Sequence, residues 1–498
     1  PRFILACRVA DWRSATGLEA IHEQYAEKPL ELHIESFNDD DASTFLSATL
    51  GLAEAENVIE HFNARGLNGL LGNPQTLELI ARVAGSGKLP ETRSELFERA
   101  IEVLRVEHRD TKASSQPGRE TGLDAAGAAF AGLILTGSEA IVRISAANAA
   151  EGELQLSDIS LLQGGDVVEA MLGTRLFKAD GVDRFTYLHR RVGEYLGAQW
   201  LAKQANTPQK RRRLLSLFHS HGLVPSSLRG IHAWLALDPA LTKAVITADP
   251  MGLIEYGDAD DLTADQARSL ISSLELLAKD NPRFRDWGPY ALRSFRHPVV
   301  IEDIRRLIST PETSFSLCLL MLEAIRGSEI ASPLTEDLRR VVLDPQAFFA
   351  CRKVAGEILV EVDDETVWPT VLYTLGSYGD ELSVRLAIEL ADEVGYEQFD
   401  AKLIVDLVVA YASSGSRTIG VLMRLEKHLP DGQIADVLDL LAVAAKTLGK
   451  RYERPGNDVL TDLVYHLIVR AVEAGGVTPH KLWSLLEPFH TSAGYQRD

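Results

Sequence analysis

Cysteine is scarce in this sequence, which has only Cys7, Cys318 and Cys351 among its 498 residues. The three lie far apart along the chain, and none has the close spacing of a metal-binding pair. The sequence therefore gives no sign of a disulfide-rich secreted scaffold or of a cysteine zinc site, and we predict no metal ligands. We expect a reduced, cytoplasmic setting.

Net positive charge and long apolar runs are also missing. The chain has 51 Lys and Arg against 71 Asp and Glu, which gives a formal net charge of −20. A general nucleic-acid or membrane-surface binder is disfavoured, because its phosphate-rich partner would be repelled. The strongest basic run, Lys210 to Arg213, is predicted to be a solvated helix face. No run of about 18 apolar residues indicates a membrane span.

The sequence has no phosphate-binding P-loop. Gly85–Lys88 (GSGK) resembles the end of one, but the pattern requires a glycine where Arg82 stands and a serine or threonine where Leu89 stands. Pro90 would also disturb the helix whose N-terminus must hold the phosphate. We interpret the segment as the loop that ends a helix. Neither the acidic strand of a Walker B site nor a nucleophile triad can be identified.

Residues 1–40 have the pattern of the end of an α/β sheet. Phe3 to Cys7 form a short apolar run that predicts a buried parallel strand, and Arg8 places a charged group at its end. The alternating run Leu30–Phe37 predicts a second strand after a helical connection. Because the chain starts inside the first strand and not with Met, we expect a fragment whose N-terminal part is missing.

From residue 41 onward the sequence pattern is helical, and residues 41–118 are predicted to form a small helical lid. Asp41 is predicted to cap the first helix, Ala42–Leu50. Further along, Asn73 precedes Pro74, which stands at the first position of a short helix. A proline is favourable there because its missing N–H would have no partner in the helix.

Residues 119–206 read as two or three helices with a two-stranded wing, the organisation of a winged-helix domain. Arg175–Lys178 and Arg184–Leu188 are predicted strands on either side of the turn Asp180-Gly181. His189 follows the second strand directly and precedes an amphipathic helix. This junction can present a titratable imidazole to a phosphate.

The rest of the chain is predicted to be helical throughout. Residues 207–290 form a helical linker domain, in which Thr263 and Gln266 have the spacing of a capping box. Residues 291–498 show degenerate helix pairs with apolar positions at helical spacing, typical of a HEAT- or TPR-like α-solenoid. The predicted fold class is therefore mainly α.

Four motifs taken together resemble a known family. They are Arg8 after the apolar strand, Gly72–Leu77 (GNPQTL) opening a helix, Leu89-Pro90 before Glu95–Phe97, and Tyr187–Ala198 (YLHRRVGEYLGA). They occur in the order and spacing seen in NACHT-type STAND NTPases of the prokaryotic Avs and bacterial NACHT-like kind, and the resemblance covers residues 1–204. It implies that residues 1–40 are the C-terminal part of a nucleotide-binding domain whose P-loop half lies upstream.

The resemblance also implies roles for individual residues. Arg8 would be the sensor that reads the γ-phosphate, a role suited to a permanently charged guanidinium. Pro74 with Asn73 would pack against adenine, and His189 would contact the β-phosphate of ADP. The cofactor would be ATP or ADP with Mg²⁺, bound only with the missing half, since phosphoryl transfer needs the P-loop lysine and metal ligands. The segment alone is not expected to hydrolyse ATP.

Each of these residues also has a structural interpretation. Arg8 could form a surface ion pair, Pro74 could simply begin a helix, and His189 could be a hydrogen-bonded core or capping histidine. The spacing of the residues alone does not decide between these interpretations.

The function implied by the resemblance is a nucleotide-gated signalling switch. ADP would hold the protein closed, and a protein ligand on the C-terminal helical domain, such as a phage protein, would trigger ATP-dependent homo-oligomerisation in antiphage defence. The alternative is a non-enzymatic helical scaffold that binds a protein partner. Winged-helix DNA binding is a third possibility, which the acidic charge balance disfavours.

Overall fold

In the computed structural model, the described part of the chain is mainly helical and contains one small four-stranded sheet, which confirms the predicted mainly α fold class. The described residues are 37–64, 70–85, 88–106, 117–143, 152–163, 165–180, 183–219, 223–285, 292–362, 365–414, 420–448, 458–475 and 478–486. The predicted strand Phe3–Cys7 and the predicted sensor Arg8 lie outside them, as does Leu30–Phe37 except for its last residue.

The chain divides into two compact units. The first unit comprises Pro1–Leu277 and Phe284–Phe295, and the second comprises Ala278–Arg283 and Arg296–Asp498. The helices of both units are numbered here in chain order.

The first four helices belong to the segment predicted as the lid. They are α1 (Asp39–Leu50), α2 (Leu52–Ala64), α3 (Pro74–Ala84) and α4 (Arg93–Val106). The predicted cap of α1 was wrong by three residues, because Asn38 is the N-cap and Asp41 completes a capping box by accepting the Asn38 backbone N–H. Buried side chains from these helices, among them Phe62, Leu77 and Phe97, join one core.

A small sheet and four helices follow. They are α5 (Arg119–Thr136), β1 (Ala140–Val142), β2 (Glu153–Gln155), α6 (Leu156–Gln163), α7 (Gly165–Leu172), β3 (Phe177–Ala179), β4 (Arg184–Tyr187) and α8 (Arg190–Gln204). The strand order is β2-β1-β4-β3. The predicted hairpin is confirmed, since β3 and β4 pair antiparallel with Phe177 opposite Tyr187. The sequence patterns did not predict β1 and β2, which pair in parallel.

In the described part of the chain, five further helices follow the sheet-containing segment. They are α9 (Pro208–Ser216), α10 (Arg229–Trp234), α11 (Thr242–Ala248), α12 (Pro250–Tyr256) and α13 (Ala264–Asp280), the last of which ends in the second unit. The predicted capping box before α13 is confirmed: the Thr263 backbone N–H donates to Gln266 Oε1 at 2.9 Å, and the Gln266 backbone N–H donates to Thr263 Oγ1 at 3.4 Å. Helix α8 contacts both α5 and α10, so the sheet-containing segment and this segment share a core.

The described helices of the second unit contact one another in a regular order. They are α14 (Ile301–Ser309), α15 (Phe315–Ile325), α16 (Thr335–Leu343), α17 (Phe349–Val362), α18 (Trp368–Tyr378), α19 (Glu381–Val394), α20 (Ala401–Ser413), α21 (Val421–His428), α22 (Asp431–Leu448), α23 (Asp458–Glu473) and α24 (Pro479–Leu486). The even-numbered helices from α14 to α24 contact each other in succession, and so do the odd-numbered helices from α15 to α23. None of the helices in the described part of the chain is long and apolar enough to cross a membrane.

Candidate functional site

His189 lies between β4, which ends at Tyr187, and α8, which begins at Arg190. It occupies the N-cap position of α8 with extended backbone angles, but its side chain makes no capping hydrogen bond. The side chain is 5% exposed, and neither Nδ1 nor Nε2 has a hydrogen-bond partner. Leaving a buried polar group unpaired costs about 1–3 kcal/mol. A hydrogen-bonded core histidine or a capping histidine therefore does not describe this residue.

The pKa of His189 is affected by two charged residues of α3. Burial is the main reason that its pKa is lowered, Glu78 acts to raise the pKa, and Arg82 acts to lower it further. Both of these charged residues belong to α3 and pair with each other, Arg82 Nη2 lying 2.8 Å from Glu78 Oε1. They stand four and eight residues after Pro74 and so lie on the same side of the helix. Two charged side chains of α3, the helix that begins at Pro74, are thus close enough to His189 to influence its protonation.

Asn73 and Pro74 form the start of α3. Asn73 is the N-cap, and its Oδ1 accepts the backbone N–H groups of Gln75 at 2.9 Å and Thr76 at 3.3 Å. Pro74 takes the first helical position, where its fixed φ suits the helix. Both residues are exposed. The side-chain oxygen Oδ1 of Asn73 is therefore occupied in capping α3, while the Pro74 ring remains accessible to a ligand.

Two arginines follow His189 in the first turn of α8. Arg190 Nε donates to Glu194 Oε1 at 2.9 Å and its Nη2 donates to the Ser227 carbonyl at 2.5 Å, while the Arg191 guanidinium lies 5.4 Å from the centre of the Tyr256 ring. Burial raises the pKa of the Glu194 carboxyl, which the Arg190 contacts oppose. A neutral imidazole offers one donor and one acceptor, and the N–H groups at a helix start attract anions. This arrangement can hold a phosphate oxygen.

A second contact joins the lid segment to the helices that follow the sheet. Arg93, the first residue of α4, donates from Nη1 to the carbonyl oxygens of Ile254, Glu255 and Gly257 at 3.2, 3.1 and 2.8 Å. The Ser94 backbone N–H and hydroxyl both donate to Asp258 Oδ2, at 2.7 and 2.5 Å. We call this set the Arg93 clamp. The clamp holds the C-terminal end of α12 against the N-terminal end of α4. The Asp258 carboxylate lies at this N-terminus, where a negative charge is favoured.

An aromatic cluster lies beside the clamp. The Tyr195 and Trp234 ring centres are 4.9 Å apart, and Phe97 lies 5.8 Å from the former and 5.3 Å from the latter. The Tyr195 hydroxyl donates to Glu98 Oε1 at 3.1 Å. The three rings come from α4, α8 and α10. Helix α8, which His189 precedes, therefore packs against α4 of the segment predicted as the lid.

A second buried imidazole was not predicted from the sequence. His232 on α10 is fully buried, and neither ring nitrogen has a hydrogen-bond partner. Its ring lies 5.3 Å from the Phe218 ring and 6.2 Å from the His219 ring. Burial lowers its pKa to about 4. No pattern around His232 distinguishes it from an ordinary helix residue, because its burial depends on segments that meet only in the fold.

Neither metals nor known relatives identify the site. Within the described ranges, no group of three or more His, Cys, Asp or Glu side chains could hold a metal ion. Protein-family models were compared with the chain and none matches, and no curated protein matches it either. The functional interpretation therefore depends on the arrangement of His189, α3 and the Arg93 clamp.

Proposed function

We propose that this chain is the lid, winged-helix and sensor part of a STAND-type NTPase that acts as a nucleotide-gated signalling switch in antiphage defence. The observation that carries the proposal is His189. It is a buried imidazole with two unpaired nitrogens at the N-cap of a 15-residue helix, and its pKa is influenced by Glu78 and Arg82 of the helix that opens with Asn73-Pro74. A ligand oxygen on either nitrogen would satisfy a group that the protein leaves unpaired.

The proposed ligand is ADP in the closed state and ATP in the open state. His189 would hold a phosphate oxygen together with the N–H groups of the first turn of α8. Pro74 would pack its ring on the adenine face while Asn73 fixes the start of α3. Mg²⁺ and the catalytic groups would come from the nucleotide-binding half, with Arg8 at the γ-phosphate. When bound there, ATP supplies the phosphoryl transfer that resets the switch.

The closed state is supported by contacts between segments that are distant in sequence. The Arg93 clamp joins residues more than 160 positions apart through five hydrogen bonds. Opening the lid away from α12 would break all five, so the clamp favours the closed arrangement until a ligand offsets it.

The winged-helix and sensor assignments are part of the same proposal. The antiparallel pair β3 and β4 stands between α7 and α8, where a wing would lie. In the second unit, the two series of successively contacting helices are the pattern of a HEAT- or TPR-like solenoid. We assign the trigger, a protein such as a phage protein, to this series, and homo-oligomerisation to the open state.

The test is ADP release from the protein together with its nucleotide-binding half. His189→Ala should speed dissociation of a fluorescent ADP by roughly 10-fold or more, because a hydrogen bond to a charged group contributes about 1.5–3 kcal/mol. His480→Ala, which removes an exposed histidine from α24, is the matched control and should leave release unchanged.

Two results would reject the proposal. Equal release rates from the His189→Ala variant and the unmodified protein would remove this imidazole from the site. A protein that binds neither ADP nor ATP, yet still binds a protein partner, would leave the non-enzymatic helical scaffold as the better account.

A further inference from the structure

Two of the three cysteines of this chain meet in the second unit. Cys318 belongs to α15 and Cys351 to α17, two helices that pack against each other. A buried side chain touches about 6–12 others, so two residues placed at random in a chain of this length would touch only about one time in fifty. Their meeting is therefore unusual for so rare a residue.

The Cys351 side chain reaches the turn of α15 that carries Cys318. Cys351 Sγ lies 3.9 Å from the carbonyl oxygen of Phe315, which is one helical turn before Cys318 on α15. The Cys351 side chain is 1% exposed and that of Cys318 is 9% exposed. Both thiols are reduced in this structure. Both residues are buried, and Cys318 is the more exposed of the two.

The Cys351 thiol also affects the acidity of Cys318. A hydrogen bond with the Cys351 thiol lowers the pKa of the Cys318 thiol, although burial opposes this effect. The thiolate is the reactive form of cysteine, so this contact favours reaction at Cys318.

We propose that Cys318 and Cys351 form an oxidisable dithiol, a modification site at which a peroxide makes a reversible disulfide between α15 and α17. The Cys318 thiolate attacks a peroxide oxygen and breaks the O–O bond, giving a sulfenic acid and hydroxide. The Cys351 sulfur then attacks the Cys318 sulfur and displaces the sulfenic oxygen, which leaves as water. Overall, two thiols lose two electrons and two protons, and hydrogen peroxide is reduced to two molecules of water.

The test is mass spectrometry of the reduced, folded chain before and after treatment with hydrogen peroxide. We expect a loss of two hydrogen masses, a cross-linked peptide pair containing Cys318 and Cys351, and a fall from three titratable thiols to one. Dithiothreitol should restore all three. Cys318→Ser and Cys351→Ser should each abolish the cross-link, while Cys7→Ser should retain it.

The wild-type peptide map decides the proposal even if a serine variant fails to fold. Recovery of both cysteines as free thiols, or of Cys318 as a sulfinic acid with Cys351 unmodified, would overturn it. Cross-linking that appears only in denaturant would do the same, because the pairing would then not depend on the folded contact between α15 and α17.

Discussion

At the scale of single residues, two buried imidazoles characterise the first unit. His189 and His232 each keep both ring nitrogens unpaired, and burial is the main cause of the lowered pKa of each. Charged residues influence the pKa of both, Glu78 and Arg82 for His189 and Asp249 and Arg229 for His232. The two differ in position, because His189 stands at the N-cap of α8, whereas His232 lies within α10 beside Phe218 and His219. We therefore assign ligand binding to His189 and only packing to His232.

The lowered pKa of His232 predicts a loss of stability in acid. The folded state excludes a proton that the unfolded state accepts near pH 6.5, so stability is full above that value and falls as the pH approaches 4. Between pH 7.5 and 5, this group should reduce the free energy of unfolding by about 2 kcal/mol. His232→Leu should remove that part of the pH dependence, as measured by urea unfolding at the two pH values.

Comparison with the variant isolates the His232 contribution. Burial raises the pKa of Asp260 to about 6, which acts in the opposite direction over part of this range. Asp260 is unchanged in the variant, so the difference between the two proteins cancels its effect. An identical pH dependence in both would show that His232 is not held neutral by burial.

Sequence patterns could locate His189 at a strand-to-helix junction but could not show that it is unpaired. Two charged residues that influence it, Glu78 and Arg82, stand more than one hundred residues earlier and come near it only in the fold. The contact between Cys318 and Cys351 was equally invisible, since their sequence spacing suggests no pairing. Arg8 remains a prediction from the resemblance alone, outside the described residues.

At the scale of elements, helices were predictable where caps and apolar spacing agree. Pro74 and the Thr263–Gln266 box mark starts that the structure confirms. The β3–β4 hairpin was predictable from its alternating strands and turn residues. The strands β1 and β2 were not, because each has three residues and so too few positions to show a period of two.

The Arg93 clamp makes a prediction for two arginines of the same helix. Arg93→Met should lower the free energy of unfolding by about 2–4 kcal/mol, because three carbonyl groups lose their charged donor in a buried place. Arg99→Met is the control, since it removes only the partly exposed ion pair with Glu95, worth about 0.5 kcal/mol or less.

Urea unfolding monitored by helical circular dichroism measures both losses. Equal, small losses would mean that the clamp contributes no more than a surface ion pair. In that case it could not favour the closed arrangement of α4 and α12.

At the scale of the whole molecule, the division into two units predicts separable roles. Truncation after residue 295, in a protein that includes the proposed nucleotide-binding half, removes the helices from α14 onward. ADP binding should persist, because the proposed nucleotide contacts lie in the first unit. Response to the protein trigger should be lost, as measured by trigger-dependent assembly in gel filtration. A truncated protein that still assembles on addition of the trigger would place the sensor elsewhere.

A trigger can open such a switch only through its difference in affinity for the two states. To move a population from 1:99 to 99:1 it must favour the open state by about 5.5 kcal/mol. The Arg93 clamp and the proposed phosphate contact of His189 are each of the order of a few kcal/mol, so together they are of the size that one protein ligand can offset.

The most direct test is a structure of the protein with the proposed nucleotide-binding half and bound ADP. The account predicts that a ring nitrogen of His189 lies within about 3.2 Å of a β-phosphate oxygen, with the Pro74 ring in contact with the adenine of the same nucleotide. A nucleotide bound far from either residue, or a His189 ring that stays unpaired while ADP is bound, would contradict it.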